Sequence, residues 1–297
     1  MFGNTRQSIN VVLFIILGLI GLGSVFFVMV TRNQAVSSIS IATNTPLSQI
    51  QPDSKISPTS LPILLPRMTA LTTLPAPTSE GLEPIPIGQR GLITNGDRTT
   101  NKVALTFDVC QAEGDLSGYD AGIVKVLSEY QTPATFFLGG AWIKDHLGEA
   151  NELAANPLFE LGNHAWSHAD FSKVDTQKMY QEIQLAQEQL FGLTGKHNNL
   201  FRLPYGFYTD EALDFIGENG LYTIQWDVVS GDPDPNITAP AMIDWVLQQV
   251  QPGSIVIMHA NGRGWHTAEA LPILIQSLRD QGYTLVTISD LLNIQSP

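Results

Sequence analysis

The sequence predicts an α/β domain built on a parallel sheet of about seven strands, set behind one transmembrane helix and a disordered linker. Three observations carry this. An uncharged apolar run lies near the N-terminus. A Pro-, Ser- and Thr-rich stretch without periodicity follows it. Short β-rich segments then alternate with helical ones to the end of the chain.

Residues 1–10 form a short N-terminal tail, and residues 11–30, "VVLFIILGLIGLGSVFFVMV", carry no charge. At about 1.5 Å per residue such a helix spans roughly 30 Å, the thickness of a bilayer's hydrocarbon core. Cleavable signal peptides have a shorter apolar run of about 7–15 residues, so the length favours an uncleaved signal anchor, with "AVS" at Ala35 to Ser37 as the competing cleavage site. Arg6 and Arg32 balance each other across the helix, and the positive-inside rule orients it only weakly. The shortness of the tail, together with the chemistry read from the motifs below, leads us to expect the rest of the chain outside the cytoplasm. Residues 31–90 hold half of the 18 prolines and read as an extended linker, on the order of 40 Å long as a flexible coil.

The remaining residues, 91–297, are expected to form the folded domain. Its strand-like runs are "KVALTFDV", "ATFFLG", "LFELGNH", "LFRLPYG", "YTIQWDV", "SIVIMH" and "TLVTIS". Helices are expected at "YDAGIVKVLSEY", around "DTQKMYQEIQLAQEQLFG", and at "TDEALDFIGENG", "APAMIDWVLQQV" and "AEALPILIQSLRDQG". In the longest of these, Met179, Ile183, Ala186 and Leu190 share one face. Thr209 and Gly220 are start and stop signals for the helix between them. Repeated βα units imply a parallel sheet, either a closed barrel or an open doubly wound one.

A net charge of −13 argues against nucleic acid and anionic lipid surfaces as partners, since both require a basic face. A neutral, sugar-like substrate is compatible with it. The single cysteine, Cys110, excludes an internal disulfide framework.

Polar residues gather at the C-terminal ends of the strands: Asp108, His164, Arg202 with Tyr205, Asp227 with Asp232, and His259. In parallel α/β folds those ends share one rim, where active sites form. A single strand-end Asp is often only a helix cap, but the joint placement is harder to dismiss. His164 and His168, four residues apart, can present both imidazoles to one metal, and neutral imidazole suits zinc and other divalent first-row ions.

"TFD" (Thr106 to Asp108), "HAWSH" (His164 to His168), "RLPY" (Arg202 to Tyr205), "WDVVSGD" (Trp226 to Asp232) and "IMH" (Ile257 to His259) stand in the order and spacing of a known family. The chain resembles the polysaccharide deacetylases, the NodB-like domains of carbohydrate esterase family four, from about Thr100 to Leu292. The resemblance implies a distorted, incomplete (β/α) barrel and metal-dependent hydrolysis of acetyl groups on an acetylated polysaccharide such as peptidoglycan or an exported glycan. It further implies Asp108 as general base toward the attacking water and Arg202 as the group that orients it. His164 and His168 become metal ligands, Tyr205 gives an oxyanion contact through its backbone N–H, and His259 is the acid for the departing amine. Such a division of proton roles suits amide hydrolysis, which needs an activated water, a stabilised oxyanion and an acid for a poor leaving group.

Two positions depart from the family. A second Asp usually follows the first and completes the metal site; here it is Val109. The family also tends to place an Asp where Val229 stands. For the missing metal ligand the expectation is Asp120, at the start of the next helix, ahead of Asp108, Glu113 and Asp115. Zinc is the expected ion. For the second departure, Asp232 is expected to orient and tune His259, with Asp227 next. Loss of a ligand keeps a second reading open, a non-catalytic glycan-binding protein on the same fold. Cys110 reads as a small buried residue rather than a nucleophile. Trp166 and Trp265 are either sugar platforms or core, with Trp265 the better platform. His266 reads as cleft or surface, and His146 and His197 as surface.

Overall fold

The structure, a computed structural model, describes residues 82–112 and 117–295. The expected tail, membrane anchor and most of the linker lie outside the described residues, as do Glu113 and Asp115. Among the described residues no helix is long and apolar enough to cross a membrane.

Among the described residues nine strands form one sheet: β1 (Leu92–Ile93), β2 (Lys102–Val109), β3 (Ala134–Leu138), β4 (Phe159–Asn163), β5 (Leu200–Phe201), β6 (Tyr222–Ile224), β7 (Val228–Val229), β8 (Ile255–His259) and β9 (Thr284–Val286). The helices are α1 (Ala121–Glu129), α2 (Gly140–Asp145), α3 (Leu147–Ala155), α4 (Thr176–Thr194), α5 (Asp210–Glu218), α6 (Ala239–Gln249), α7 (Thr267–Asp280) and α8 (Ile288–Leu292). Every ladder is parallel, and the strands run in the order β1-β6-β5-β4-β3-β2-β8-β7, with β9 added against β2. No ladder among the described strands joins β1 to β7, so the sheet curves as a parallel half-barrel and stays open.

The strand β2 fixes the layers. Its Val103, Leu105, Phe107 and Val109 point into an apolar layer shared with Ile123 and Leu127 of α1 and Leu271, Leu274 and Leu278 of α7. Ala104 faces the other way, into a cluster with Phe137, Leu200, Ile224 and Ile255. Side chains alternate along a strand, so Thr106 and Asp108 stand on that second, inner face, and both are buried.

All seven expected strand regions hold strand, with differences in extent. "LFRLPYG" is strand only at β5 and then bends through a short 3-10 turn, Pro204–Gly206. The run "YTIQWDV" is split. Gln225 N–H donates to Ile93 O (2.7 Å), while Asp227 N–H donates to Ile255 O (3.3 Å). Residues 225–227 thus carry the chain from the β1 end of the open path to the β7 end, and cannot pair continuously with either. The helices α2 and α3 were not expected. In the longest helix, α4, Met179, Ile183, Ala186 and Leu190 are buried as the periodicity requires. Thr209 caps α5 by accepting from Ala212 N–H, and Gly220, at φ +76°, lies just past the C-cap residue Asn219.

Candidate active site

Asp108 is the penultimate residue of β2, and its register partner on β8 is His259. The carboxylate meets Arg202, which follows β5: Nη1 donates to Oδ1 at 2.8 Å. Arg202 is fully buried. Its Nε and Nη2 donate to the carbonyls of Ile224 and Gln225, both at 3.3 Å, and its guanidinium lies 4.0 Å over the Phe137 ring. Burial works to raise the Asp108 carboxyl, but the Arg202 guanidinium above all, through its charge and hydrogen bond, with the His259 imidazole beyond, outweighs it and holds the group below its usual range. Asp108 is therefore a carboxylate at neutral pH.

His259 is set for the opposite role. Its Nδ1 lies 2.9 Å from Asp232 Oδ1, and its backbone N–H donates to Asp232 Oδ2 at 2.7 Å. Asp232 is wholly buried and also accepts from Ser230 Oγ and Thr267 Oγ1, each at 2.9 Å. Burial works to lower the His259 imidazole; the hydrogen bond and charge of Asp232, with Asp108 beyond, raise it above the ordinary histidine value. Holding Nδ1 on Asp232 leaves Nε2 to serve the cleft. Asp227, the second candidate for this role, is occupied elsewhere, with Arg98 at 2.7 Å and Ser254 Oγ at 2.9 Å.

The two imidazoles follow β4. His164 Nδ1 bonds the carbonyl of Arg202 at 2.9 Å, which makes Nδ1 the protonated nitrogen and leaves Nε2 with a lone pair. Nε2 is buried without a hydrogen-bond partner. The nearest carboxylate oxygen, Asp108 Oδ2, is 3.6 Å away, too far for a hydrogen bond. The His168 ring stands at 5.1 Å from the His164 ring and 4.3 Å from Tyr205. Burial pushes the His164 imidazole down, and burial with His164 nearby pushes His168 down to about 3. Both are neutral, the state in which imidazole binds metals.

The loop that carries them is held in strained backbone, with Ala165 at φ 62° and His168 at φ 59°, a region costly for residues other than glycine. Its partners keep it there. Asn163 Oδ1 accepts from Ala165 N–H at 2.8 Å, and Glu182, fully buried in α4, accepts from Ser167 N–H and Ser167 Oγ, both at 2.7 Å. Lys178 neutralises Glu182 at 2.7 Å. The backbone N–H groups of Gly140 and Ala141, opening α2, donate to the carbonyls of Ala165 and Trp166 at 2.9 Å. Trp166 itself packs on Gly140, where an added Cβ would approach its ring to 2.5 Å. Tyr205, at φ 60° and half exposed, shows a second bent backbone on the rim.

Asp120 requires a correction. Its Oδ2 accepts from Gly262 N–H at 3.0 Å, and it stands at the N-cap position of α1 without a side-chain cap bond. It ties the loop after β2 to the loop after β8, and the donor cluster around the two imidazoles does not include it. That cluster is Cys110, His164 and His168, whose ligand atoms lie within 4.8 Å of one another. The alternation of β2 explains the shift: Val109 faces the apolar layer, and the next residue, Cys110, turns back toward the cleft. Burial, and Asp108 alongside, push the Cys110 thiol up, so it is no free thiolate nucleophile. An orphaned buried imidazole nitrogen, a second neutral imidazole and a sulfur form a donor set suited to a divalent transition metal.

A cleft of about 390 Å³ joins these groups, lined among others by Asp108, Cys110, His168, Tyr205, His259 and Arg263, a size usual for small-ligand sites. Trp265 is half exposed, and its backbone N–H donates to the Asp232 carbonyl at 2.9 Å. His266 bonds Glu269 on the surface at 2.8 Å. Sequence reasoning overlooked Asn163, Glu182 and the place of Cys110 beside the two imidazoles. Glu182 left a trace, a lone acid within the apolar stripe of α4.

The sequence profile described as Polysaccharide deacetylase matches residues 95–224. The peptidoglycan-N-acetylmuramic acid deacetylase PdaA of Bacillus subtilis is 29% identical over 200 residues, 66% of this chain and 73% of the relative. The chitooligosaccharide deacetylase of Sinorhizobium fredii is 30% identical over 197 residues, 62% of this chain and 88% of the relative. Some curated relatives are longer, and the chain spans 52% of one and 39% of another. Among solved structures, BA3943 of Bacillus anthracis, a CE4 family pseudoenzyme, matches with a TM-score of 0.61 at 27% identity, over 68% of this chain and 69% of that one. A mutant of BA3943 with restored enzymatic activity matches equally well, with a TM-score of 0.61.

Proposed function

Because the chain belongs to the polysaccharide deacetylase family, we propose that it hydrolyses the acetamido groups of an acetylated polysaccharide, peptidoglycan or an exported glycan, outside the cytoplasm. Residues 11–30 anchor it in the membrane and residues 31–90 give it reach. The observation that carries the reading is the pairing of a lowered carboxylate, Asp108, with a raised imidazole, His259, on adjacent strands, each held by its own buried partner. Paired groups tuned in opposite directions are how one site supplies both base and acid.

In this reading the Asp108 carboxylate takes a proton from the attacking water while Arg202 fixes its direction. The new bond joins water oxygen to the acetyl carbon, and the carbonyl oxygen gains charge that the Tyr205 backbone N–H stabilises. His259 gives its proton to the nitrogen as the C–N bond breaks, releasing acetate and a free amine. Asp232 keeps that imidazole protonated and aimed. A divalent ion held by His164 and His168 would supply Lewis-acid polarisation of the carbonyl and activation of the water.

Acetate release from acetylated chito-oligosaccharides by the full chain tests the reading, with Asp108→Asn as control. Turnover that the control lacks is the expected result; no acetate from the metal-loaded protein, on these or on peptidoglycan fragments, removes it. The second reading, glycan binding without turnover, draws on Val109 and on the likeness to a pseudoenzyme. Oligosaccharide binding without acetate release would establish it.

A further inference from the structure

We infer that Cys110 is the third protein ligand of the metal site, so that a Cys-His-His set takes the place of the carboxylate set expected of the family. The inference deepens the hydrolase reading and rests on its metal dependence.

Three independent features of the fold lead to it. First, position 109 cannot serve. Val109 is buried among the apolar residues between β2 and the helices, and a carboxylate on this backbone would carry its charge into that layer, away from water and from any partner. Second, Cys110 lies on the cleft side, within 4.8 Å of the ligand atoms of both histidines. Bonds of about 2.0–2.3 Å to a tetrahedral ion separate the donors by about 3.4–3.6 Å. The three atoms therefore need to close by about 1.4 Å at most. Third, His164 Nε2 is buried and unpartnered and faces this cluster, while its Nδ1 is locked on a carbonyl. A buried nitrogen that lacks a partner in the folded chain points to a ligand that supplies one.

The surroundings suit a sulfur ligand. Asn261, buried behind Cys110, donates its amide to the Cys110 carbonyl at 2.7 Å and lies 3.7 Å from Sγ. Such a donor holds and tunes a coordinated sulfur, as outer partners do at metal sites generally. Asp108 is the other nearby anion, but Arg202 already holds its Oδ1. With the thiolate as ligand, Asp108 keeps its role as base. Sulfur also changes the selection of metal. A thiolate with two imidazoles favours zinc, cobalt and cadmium over magnesium and manganese, which prefer oxygen.

The test uses the full chain, stripped of metal and reloaded with Co(II). Wild type shows a sulfur-to-cobalt charge-transfer band in the near ultraviolet. Cys110→Ala and Cys110→Ser lose the band and bind cobalt about a hundredfold more weakly or worse, beyond the 10–100-fold usual for an outer partner. Circular dichroism verifies that each variant is folded. A wild-type cobalt protein without the band overturns the inference and needs no variant, and so does a folded Cys110→Ala protein of unchanged affinity. Acetate release separates this from the hydrolase reading. A protein with the band but no turnover keeps the thiolate ligand and loses the deacetylase. One with turnover but no band does the reverse.

Discussion

Asp108 and His259 are direct register partners on adjacent parallel strands, and Ala260 N–H closes the pair by donating to the Asp108 carbonyl at 3.1 Å. The two groups to which the proposed mechanism assigns proton transfer are thus spaced by the sheet's own ladder rather than by a loop. Sites on such rigid elements hold their geometry most closely.

Replacing either member of this pair should cost about a hundredfold or more in kcat/KM, the usual scale for a lost general base or acid. Asp108 is held below its ordinary range and His259 above its own. Activity should therefore persist into mild acid and decline on the basic side only above the ordinary histidine value of about 6.5. Asp108→Asn should remove the acidic limb of the profile and His259→Gln the basic one. Initial rates against pH for the three proteins provide the check.

Asp232→Asn should move the basic limb to lower pH, because the charge that favours imidazolium is removed while burial still opposes it. Asp227→Asn should leave that limb in place, since Asp227 serves Arg98 and Ser254. Equal limbs in wild type and Asp232→Asn would separate His259 from Asp232.

Arg202→Met should lower stability by about 3–5 kcal/mol, the usual result when one half of a buried ion pair is left alone. Urea unfolding at neutral pH measures it. The sign with pH follows from Asp108. Its folded pKa is depressed, so the pair's contribution is present above the unfolded value near 3.9 and is lost as pH falls through the folded one. The gap between wild type and Arg202→Met should narrow in strong acid.

Glu182→Ala should weaken metal binding by roughly 10–100-fold, because Ser167 loses the partner that fixes the loop between the two imidazoles. Glu182→Gln, which can still accept at Ser167, should recover part of it. Asp120→Ala should leave metal affinity within about twofold of wild type, far from the loss expected of a ligand. Calorimetric titration with zinc distinguishes these outcomes.

The legible part of this protein was what lies along single strands and helices. Strand-end placement singled out Asp108, His164, Arg202, Tyr205, Asp232 and His259, all of which lie on one rim around or beside the cleft, and equally Asp227, which is tied to Arg98 and Ser254 instead. Side-chain direction past a strand end was not legible. Whether residue 109, 110 or 120 reaches the imidazoles depends on where β2 stops alternating and on the turn beyond it, and local sequence does not encode that. Asp120 looked right because it is an acid before a helix; the loop after β8 claims it instead. Short elements escaped for a related reason: six-residue α2 and two-residue β1 and β7 are too brief to establish a period.

The clasp between the loops after β2 and β8 bears on how this protein could be engineered. Gly118 N–H bonds Asn261 O at 2.9 Å and Asp120 N–H bonds Ala260 O at 3.1 Å. Asp120 Oδ2 accepts from Gly262 N–H at 3.0 Å, and Asn261 reaches back to the Cys110 carbonyl at 2.7 Å. The two segments behave as one interlocked part, although some 140 residues separate them in sequence. A chimera that imports either segment alone from a relative would leave its hydrogen-bonding complement behind, with buried groups unmatched on both sides. The smallest exchangeable unit here is the pair of segments, transplanted together.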